Sequence, residues 1–141
     1  MSIAIDPIRE TNHIIHWLKG KFADYGEDAK AVIGMSGGKD STIAAALLCQ
    51  AIGSERVVGV IMPNGDMRDK DLAVDICKHL NMQHYVIDIS DAVDCLYHAL
   101  YNRDIDYNNP TIATNTPARI RMTTLYAVAA TCHGRVVNTC N

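Results

Sequence analysis

The sequence predicts an α/β protein: a three-layer, doubly wound parallel sheet with helices on both faces. Three observations carry this. Strand-like and helix-like stretches alternate along the chain, which is the pattern of βαβ units. The strand-like runs, Ala31-Val32-Ile33-Gly34-Met35 and Val57-Val58-Gly59-Val60-Ile61, are apolar throughout, as in strands covered on both faces. Between the first run and the next helix lies Ser36-Gly37-Gly38-Lys39-Asp40-Ser41, a glycine-rich stretch at a strand-to-helix turn.

Residues 6–25 form the first helix. Asp6 can cap it, Pro7 suits its first turn, and Ile8, Ile14, Ile15, Trp17, Leu18 and Phe22 make an apolar stripe. Gly26 ends it. The strand at 31–35 follows, then a helix through residues 42–50 that stops near Gly53. Residues 56–62 are the second strand, and Pro63-Asn64-Gly65 is its exit loop. Residues 69–80 are helical, with Leu72, Ala73, Ile76, Cys77 and Leu80 on one face. Residues 83–89 are the third strand. Ser90 or Asp91 caps the next helix, which runs to about Tyr101. Residues 102–115 are polar, carry Pro110, and read as a loop. A long helix over 116–132 begins with Pro117 in its first turn, and residues 135–139 start a further strand.

The 141 residues suffice for one domain with a sizeable core. A net charge of −3 offers no electrostatic argument for a nucleic-acid partner. No apolar run is long enough to span a bilayer, and residues 1–7 lack the basic and apolar regions of a signal peptide. The five cysteines include no Cys-x-x-Cys pair, so they read as reduced, mostly buried thiols of a cytoplasmic protein.

The chemistry concentrates at residues 36–41. The first turn of a helix leaves N–H groups unpaired at the positive end of the peptide dipoles, and a phosphate suits that position. Gly37 and Gly38 allow positive φ and close approach of a ligand. Ser36 and Ser41 offer hydroxyls, and Lys39 a mobile positive charge. Asp40 would repel a phosphate directly, so its chemistry fits a Mg²⁺ ion bridging to phosphate oxygens. Read conservatively, Ser36 and Asp40 only cap the helix. The stretch is not a Walker loop, because Asp40 follows Lys39 and Ile33 stands where the first glycine belongs.

It resembles the pyrophosphate loop, Ser-Gly-Gly-x-Asp-Ser, of the ATP pyrophosphatases. Two further blocks are similar to ammonia-dependent NAD synthetases within that group. Asn115-Thr116-Pro117-Ala118-Arg119-Ile120-Arg121-Met122 resembles their Asn-x-x-Ala-Arg-x-Arg-Met segment, and residues 134–141 resemble their strand ending in Gly-Thr-Gly-Asn. Ile61-Met62-Pro63 also fits. The blocks keep the family's order over nearly the whole chain.

The resemblance implies a Rossmann-like fold of the adenine nucleotide alpha hydrolase type. It implies that ATP, as co-substrate, is bound by Gly34, Met35, Ser36, Gly37, Gly38, Lys39, Asp40, Ser41 and Thr139, with Mg²⁺ on Asp40. Backbone near Ile61 and Met62 would lie by the adenine, and Arg119 would contact deamido-NAD. The implied reaction joins ammonia to deamido-NAD, giving NAD, AMP and pyrophosphate through an adenylated carboxylate, with no side chain as nucleophile. A homodimer is also implied. On the helix alone, Arg119 and Arg121 are two solvated charges that cannot share a face.

The chain departs from the family pattern at Pro117, where a polar residue such as Gln is usual. It departs again at Asn138 and Cys140, which replace two glycines. The family continues past Asn141 with a second acidic Mg²⁺ ligand, a lysine and the rest of the deamido-NAD site, so the chain looks like a fragment with little activity of its own. Two alternatives compete. One is another ATP pyrophosphatase, of GMP synthetase or tRNA-modifying type; the other is a non-catalytic nucleotide-binding module.

Overall fold

A computed structural model describes residues 5–103, 105–106 and 108–139. Four strands, β1 (Lys30–Gly34), β2 (Val57–Ile61), β3 (Gln83–Val86) and β4 (Gly134–Val137), form one sheet in the order β3-β2-β1-β4. Every pairing is parallel. In register, Val32 of β1 faces Val58 of β2 on one side and Val136 of β4 on the other.

The helices are α1 (Pro7–Tyr25), α2 (Lys39–Ile52), α3 (Lys70–His79), α4 (Ser90–Tyr101) and α5 (Pro110–Thr131), with a 3₁₀ turn at Ser54–Arg56 before β2. Alternation along the strands sorts the core into two layers. Ala31, Ile33, Val57 and Ile61 pack with Leu18 and Phe22 of α1, Leu48 of α2 and Cys77 of α3. Val32, Val58 and Val60 pack with Val93 of α4 and Ala129 of α5. This is the doubly wound, three-layer arrangement expected from the apolar runs.

The chain runs from β1 to β2 to β3 in one direction, then crosses back to place β4 on the other side of β1. The winding reverses between β1 and β4. In open parallel sheets, ligand crevices form beyond the carboxyl ends of the strands at such a reversal.

Several expected boundaries move. Residues 102–115 are not all loop, because α5 already begins at Pro110. The Asn109 side chain accepts from the Thr111 backbone N–H at 2.9 Å, so the cap and the first-turn proline belong there. Pro117 therefore sits inside α5 and not in its first turn, and it is buried. It tolerates that place at the cost of one missing helix hydrogen bond.

Neither Ser90 nor Asp91 caps α4. Asp88 does the equivalent work: its carboxylate accepts from the Ser90 N–H at 2.9 Å and from the Ser90 hydroxyl. The third strand stops at Val86, although Ile87 and Ile89 still donate to the carbonyls of Ile61 and Pro63. On α1 only Leu18 and Phe22 of the stripe are buried; Ile8, Ile14 and Trp17 are exposed, because α1 meets the core along one narrow line. Leu72 of α3 is exposed as well. Cys77 is buried, Cys49 and Cys132 are half-buried and Cys95 is exposed, so the cysteines are less uniformly buried than expected. Cys140 lies outside the described residues. No helix among the described residues is long and apolar enough to cross a membrane.

Candidate functional site

The glycine-rich stretch begins where β1 ends. Met35 donates its N–H to the Val60 carbonyl at 2.9 Å, so the chain is still tied to the sheet as it enters the loop. Gly37 turns it at φ +79°, a conformation that only glycine adopts without strain. Gly38 does not share that conformation; its φ is −79°, and it stands as the N-terminal cap residue of α2. Lys39, Asp40 and Ser41 then form the first turn of α2.

The two serines bind each other. The Ser41 hydroxyl donates to the Gly38 carbonyl at 3.1 Å and lies 3.1 Å from the Ser36 hydroxyl. Ser36 Oγ in turn accepts from the Gly38 N–H at 3.2 Å. Thr42 adds a bond from its hydroxyl to the Gly38 carbonyl at 2.8 Å. With its proton spent on Gly38, Ser41 is left to accept from Ser36. These hydroxyls shape the loop from inside. No side chain caps α2, so neither Ser36 nor Asp40 serves as its cap. The first N–H groups of the helix face outward with the positive end of the dipole behind them.

Beyond this turn opens a cavity of about 860 Å³. Gly34, Met35, Ser36, Gly38, Lys39, Asp40 and Ser41 line one side. Asn138 and Thr139, just past β4, line another, and α5 closes it with Arg119, Met122 and Tyr126. Met62, at the exit of β2, also lines it, which places that strand end beside the loop. Gly37 is the expected residue that does not line the cavity. It packs behind the loop, where an added Cβ would meet the Asp69 backbone at 2.9 Å.

Arg119 and Arg121 both reach this cavity although they stand two apart. At about 100° per residue, Ala118, Met122 and Leu125 form the central stripe of α5, and the two arginines flank it on opposite sides. Their surroundings differ. Arg121 is half-buried and donates Nε–H to the Met62 carbonyl at 3.0 Å. Lys39 and Arg119 are exposed and have no ion-pair partner among the described residues. A cavity with an uncapped helix N-terminus, two unpaired cations and a partly apolar wall suits an anionic ligand that also carries rings.

Asp40 is the carboxylate of this turn, and no three His, Cys, Asp or Glu side chains cluster into a metal cage among the described residues. One carboxylate beside a glycine-rich turn at a helix N-terminus has the chemistry to hold a Mg²⁺ ion that arrives with an anionic ligand and keeps its waters, not an all-protein site.

The sequence profile of the NAD synthase family matches residues 10–141. The chain belongs to the NAD synthase family. Among its relatives, the NH(3)-dependent NAD(+) synthetase of Staphylothermus marinus is 40% identical over 132 residues, 92% of this chain and 46% of that protein. The solved NH3-dependent NAD synthetase of Campylobacter jejuni, in complex with nitrate, superposes with a TM-score of 0.84 at 26% identity. It covers 98% of this chain, which spans 58% of that one. The NMN synthetase of Francisella tularensis superposes with a TM-score of 0.83 at 30% identity, over 98% of this chain and 56% of its own. The chain thus spans about half the length of the curated relatives it matches.

Sequence reasoning missed part of the cavity wall of this NAD synthase family member. Leu125 and Tyr126 continue the helical spacing that starts at Ala118 and Arg119, so periodicity alone could have found them. Met67 comes from the loop after β2 and carries no sequence signal of its place.

Proposed function

We propose that this chain is the ATP-binding portion of an ammonia-dependent NAD synthetase. The observation that supports this most is the convergence of three separate segments on one cavity: the turn at residues 36–41, Arg119 on α5 and Thr139 after β4. In this reading ATP lies with its phosphates on the α2 N-terminus and its base toward the end of β2. Asp40 holds Mg²⁺, which neutralises phosphate charge when bound. Arg119 faces the anionic portion of deamido-NAD.

A carboxylate is a poor acyl donor because its oxide leaves badly, so it must be activated. The nicotinate carboxylate attacks the α-phosphorus of ATP and pyrophosphate leaves. Ammonia then attacks the acyl carbon of the mixed anhydride and AMP leaves, giving NAD. The protein's part is alignment and charge stabilisation, and no side chain forms a covalent bond. The α2 N–H groups and Lys39 stabilise the negative charge that builds on the phosphates. The reading includes a homodimer.

The likeness to an NMN synthetase favours one rival, a mononucleotide acceptor in place of the dinucleotide. Pyrophosphate release from Mg-ATP decides between them when measured with deamido-NAD, with nicotinate mononucleotide and with neither. Release that requires deamido-NAD supports the proposal. Release that requires the mononucleotide supports the rival. Release with neither acceptor removes both, and so does a failure of the chain to bind ATP.

A further inference from the structure

The helix that carries Arg119 has a weak point beside it. Pro117 lies in the interior of α5 and supplies no N–H, so the Ala113 carbonyl loses its helix partner. A helix with a gap in its hydrogen-bond ladder is free to bend there. Arg119 stands two residues beyond the gap and Arg121 four beyond it.

The side chains of α5 divide into two kinds. Thr114, Thr123, Thr124 and Thr131 return their hydroxyls to carbonyls of the helix itself. Arg121 reaches outward to the Met62 carbonyl at 3.0 Å, joining α5 to the exit of β2 across 59 residues of sequence. Met62 is 6% exposed, and its side chain lies 3.4 Å from where a Cβ on Gly34 would sit. Its carbonyl belongs to a peptide closed by Pro63, which has no N–H. The bond ends at the exit of β2, on a residue that lines the same cavity as the glycine-rich turn.

We infer that Arg121 is a positioning residue. Its guanidinium pins the post-proline segment of α5 to the end of β2 and so sets where Arg119 stands in the cavity. This deepens the functional reading above and rests on it for the ligand. The anchoring itself stands on geometry. The sequence offers two arginines of like type; the fold makes one the ligand's partner and the other its support.

The test is hydrogen exchange by mass spectrometry on the 141-residue chain, with calorimetric titration of ATP and of deamido-NAD. R121M keeps the apolar stem and removes every donor. Exchange at amides 118–124 should rise about tenfold, in line with loss of one charge-assisted hydrogen bond, while β1 and α2 keep their rates. Affinity for deamido-NAD should fall with it. R119M should lose the same affinity and leave exchange unchanged. Unaltered exchange in R121M overturns the inference, and so does lost affinity without altered exchange, which would mark Arg121 as a direct ligand contact. Should R121M fail to fold, R121K gives the same comparison, since a single ammonium cannot reproduce the guanidinium fork. If the wild-type chain binds neither nucleotide, the functional reading falls, and the exchange comparison still decides the anchor.

Discussion

Ser41 is 4% exposed and is the buried polar side chain among the described residues. Its hydroxyl holds the Gly38 carbonyl, and Ser36 leans on it from the other side. Ser41→Ala removes the inner member of this set and leaves the Gly38 carbonyl with one partner fewer, its bonds from Thr42 remaining. Urea unfolding should show a loss of about 0.5–1.5 kcal/mol, the usual net contribution of one intramolecular hydrogen bond. ATP binding should weaken as well, because the turn loses its shape. Gly37 makes the complementary point. At φ +79°, with the Asp69 backbone 2.9 Å from an added Cβ, Gly37→Ala meets both backbone strain and a contact that cannot give way easily. The same unfolding assay should register about 1–3 kcal/mol, the range for a forced left-handed residue and its clash. Both residues stand out in the sequence, but their roles do not. A serine in a glycine-rich turn reads as a ligand donor until its hydroxyl is seen to face the loop.

Among the elements, the start of α4 is held by a side chain that lies before it. Asp88 accepts from the Ser90 N–H and hydroxyl, and Ser90 Oγ accepts from the Gly65 N–H at 2.7 Å. One carboxylate thus links the exit of β3, the loop after β2 and the first turn of α4. The hydrogen bonds from Ser90 hold its carboxyl below the ordinary aspartate range. A depressed folded-state value means the contribution is present above the unfolded range and is lost as pH falls through and below it. Exchange protection at the start of α4 should therefore decline on acidification into that range, and Asp88→Asn should flatten the decline. In the sequence Ser90 and Asp91 are the eligible caps, and Asp88 is not among them. Distinguishing them needs the loop at residues 63–65, which only the fold brings alongside.

The α1 helix shows the same limit from the apolar side. Its stripe is genuine at Leu18 and Phe22, yet Trp17 is 56% exposed. Periodicity reports which face is apolar, not how wide a contact the neighbouring helix makes. Gly59 in β2 shows what close packing does instead. A Cβ there would meet Met82 Cε at 2.7 Å and Cys77 Sγ at 3.0 Å, so α3 lies directly on the strand.

At the scale of the whole molecule, the two core layers share the sheet, and each depends on the other to stay dry. Cys77 sits in the layer beneath α3, fully buried, and burial pushes its thiol up to about 11. Burial also raises the Cys49 thiol. Alkylation mapped by mass spectrometry should label Cys95 rapidly at neutral pH and Cys77 only at the rate of global opening. Because the Cys77 value is raised on folding, its contribution to stability is intact below the unfolded thiol range. It is lost as pH rises from that range toward 11. Rapid labelling of Cys77 in native buffer would show that α3 leaves the sheet locally.

The sequence by itself determined the fold class and the family. Both are written in short-range signals: apolar runs the length of a strand, helical stripes, and a glycine-rich turn between them. What only the tertiary structure decided was the assignment of roles within those signals. The reversal of winding at β1 carries Arg119, Thr139 and the turn to one cavity, although they lie up to 103 residues apart in the chain, counting from Ser36 to Thr139. It also moved the start of α5 back to Pro110 and buried Pro117 inside the helix. It brought both arginines to the cavity, and tied Arg121 alone to the Met62 carbonyl. The reason is physical. Local propensity sees a few neighbours in sequence, whereas burial and hydrogen bonding are settled by whichever side chains the crossovers bring together.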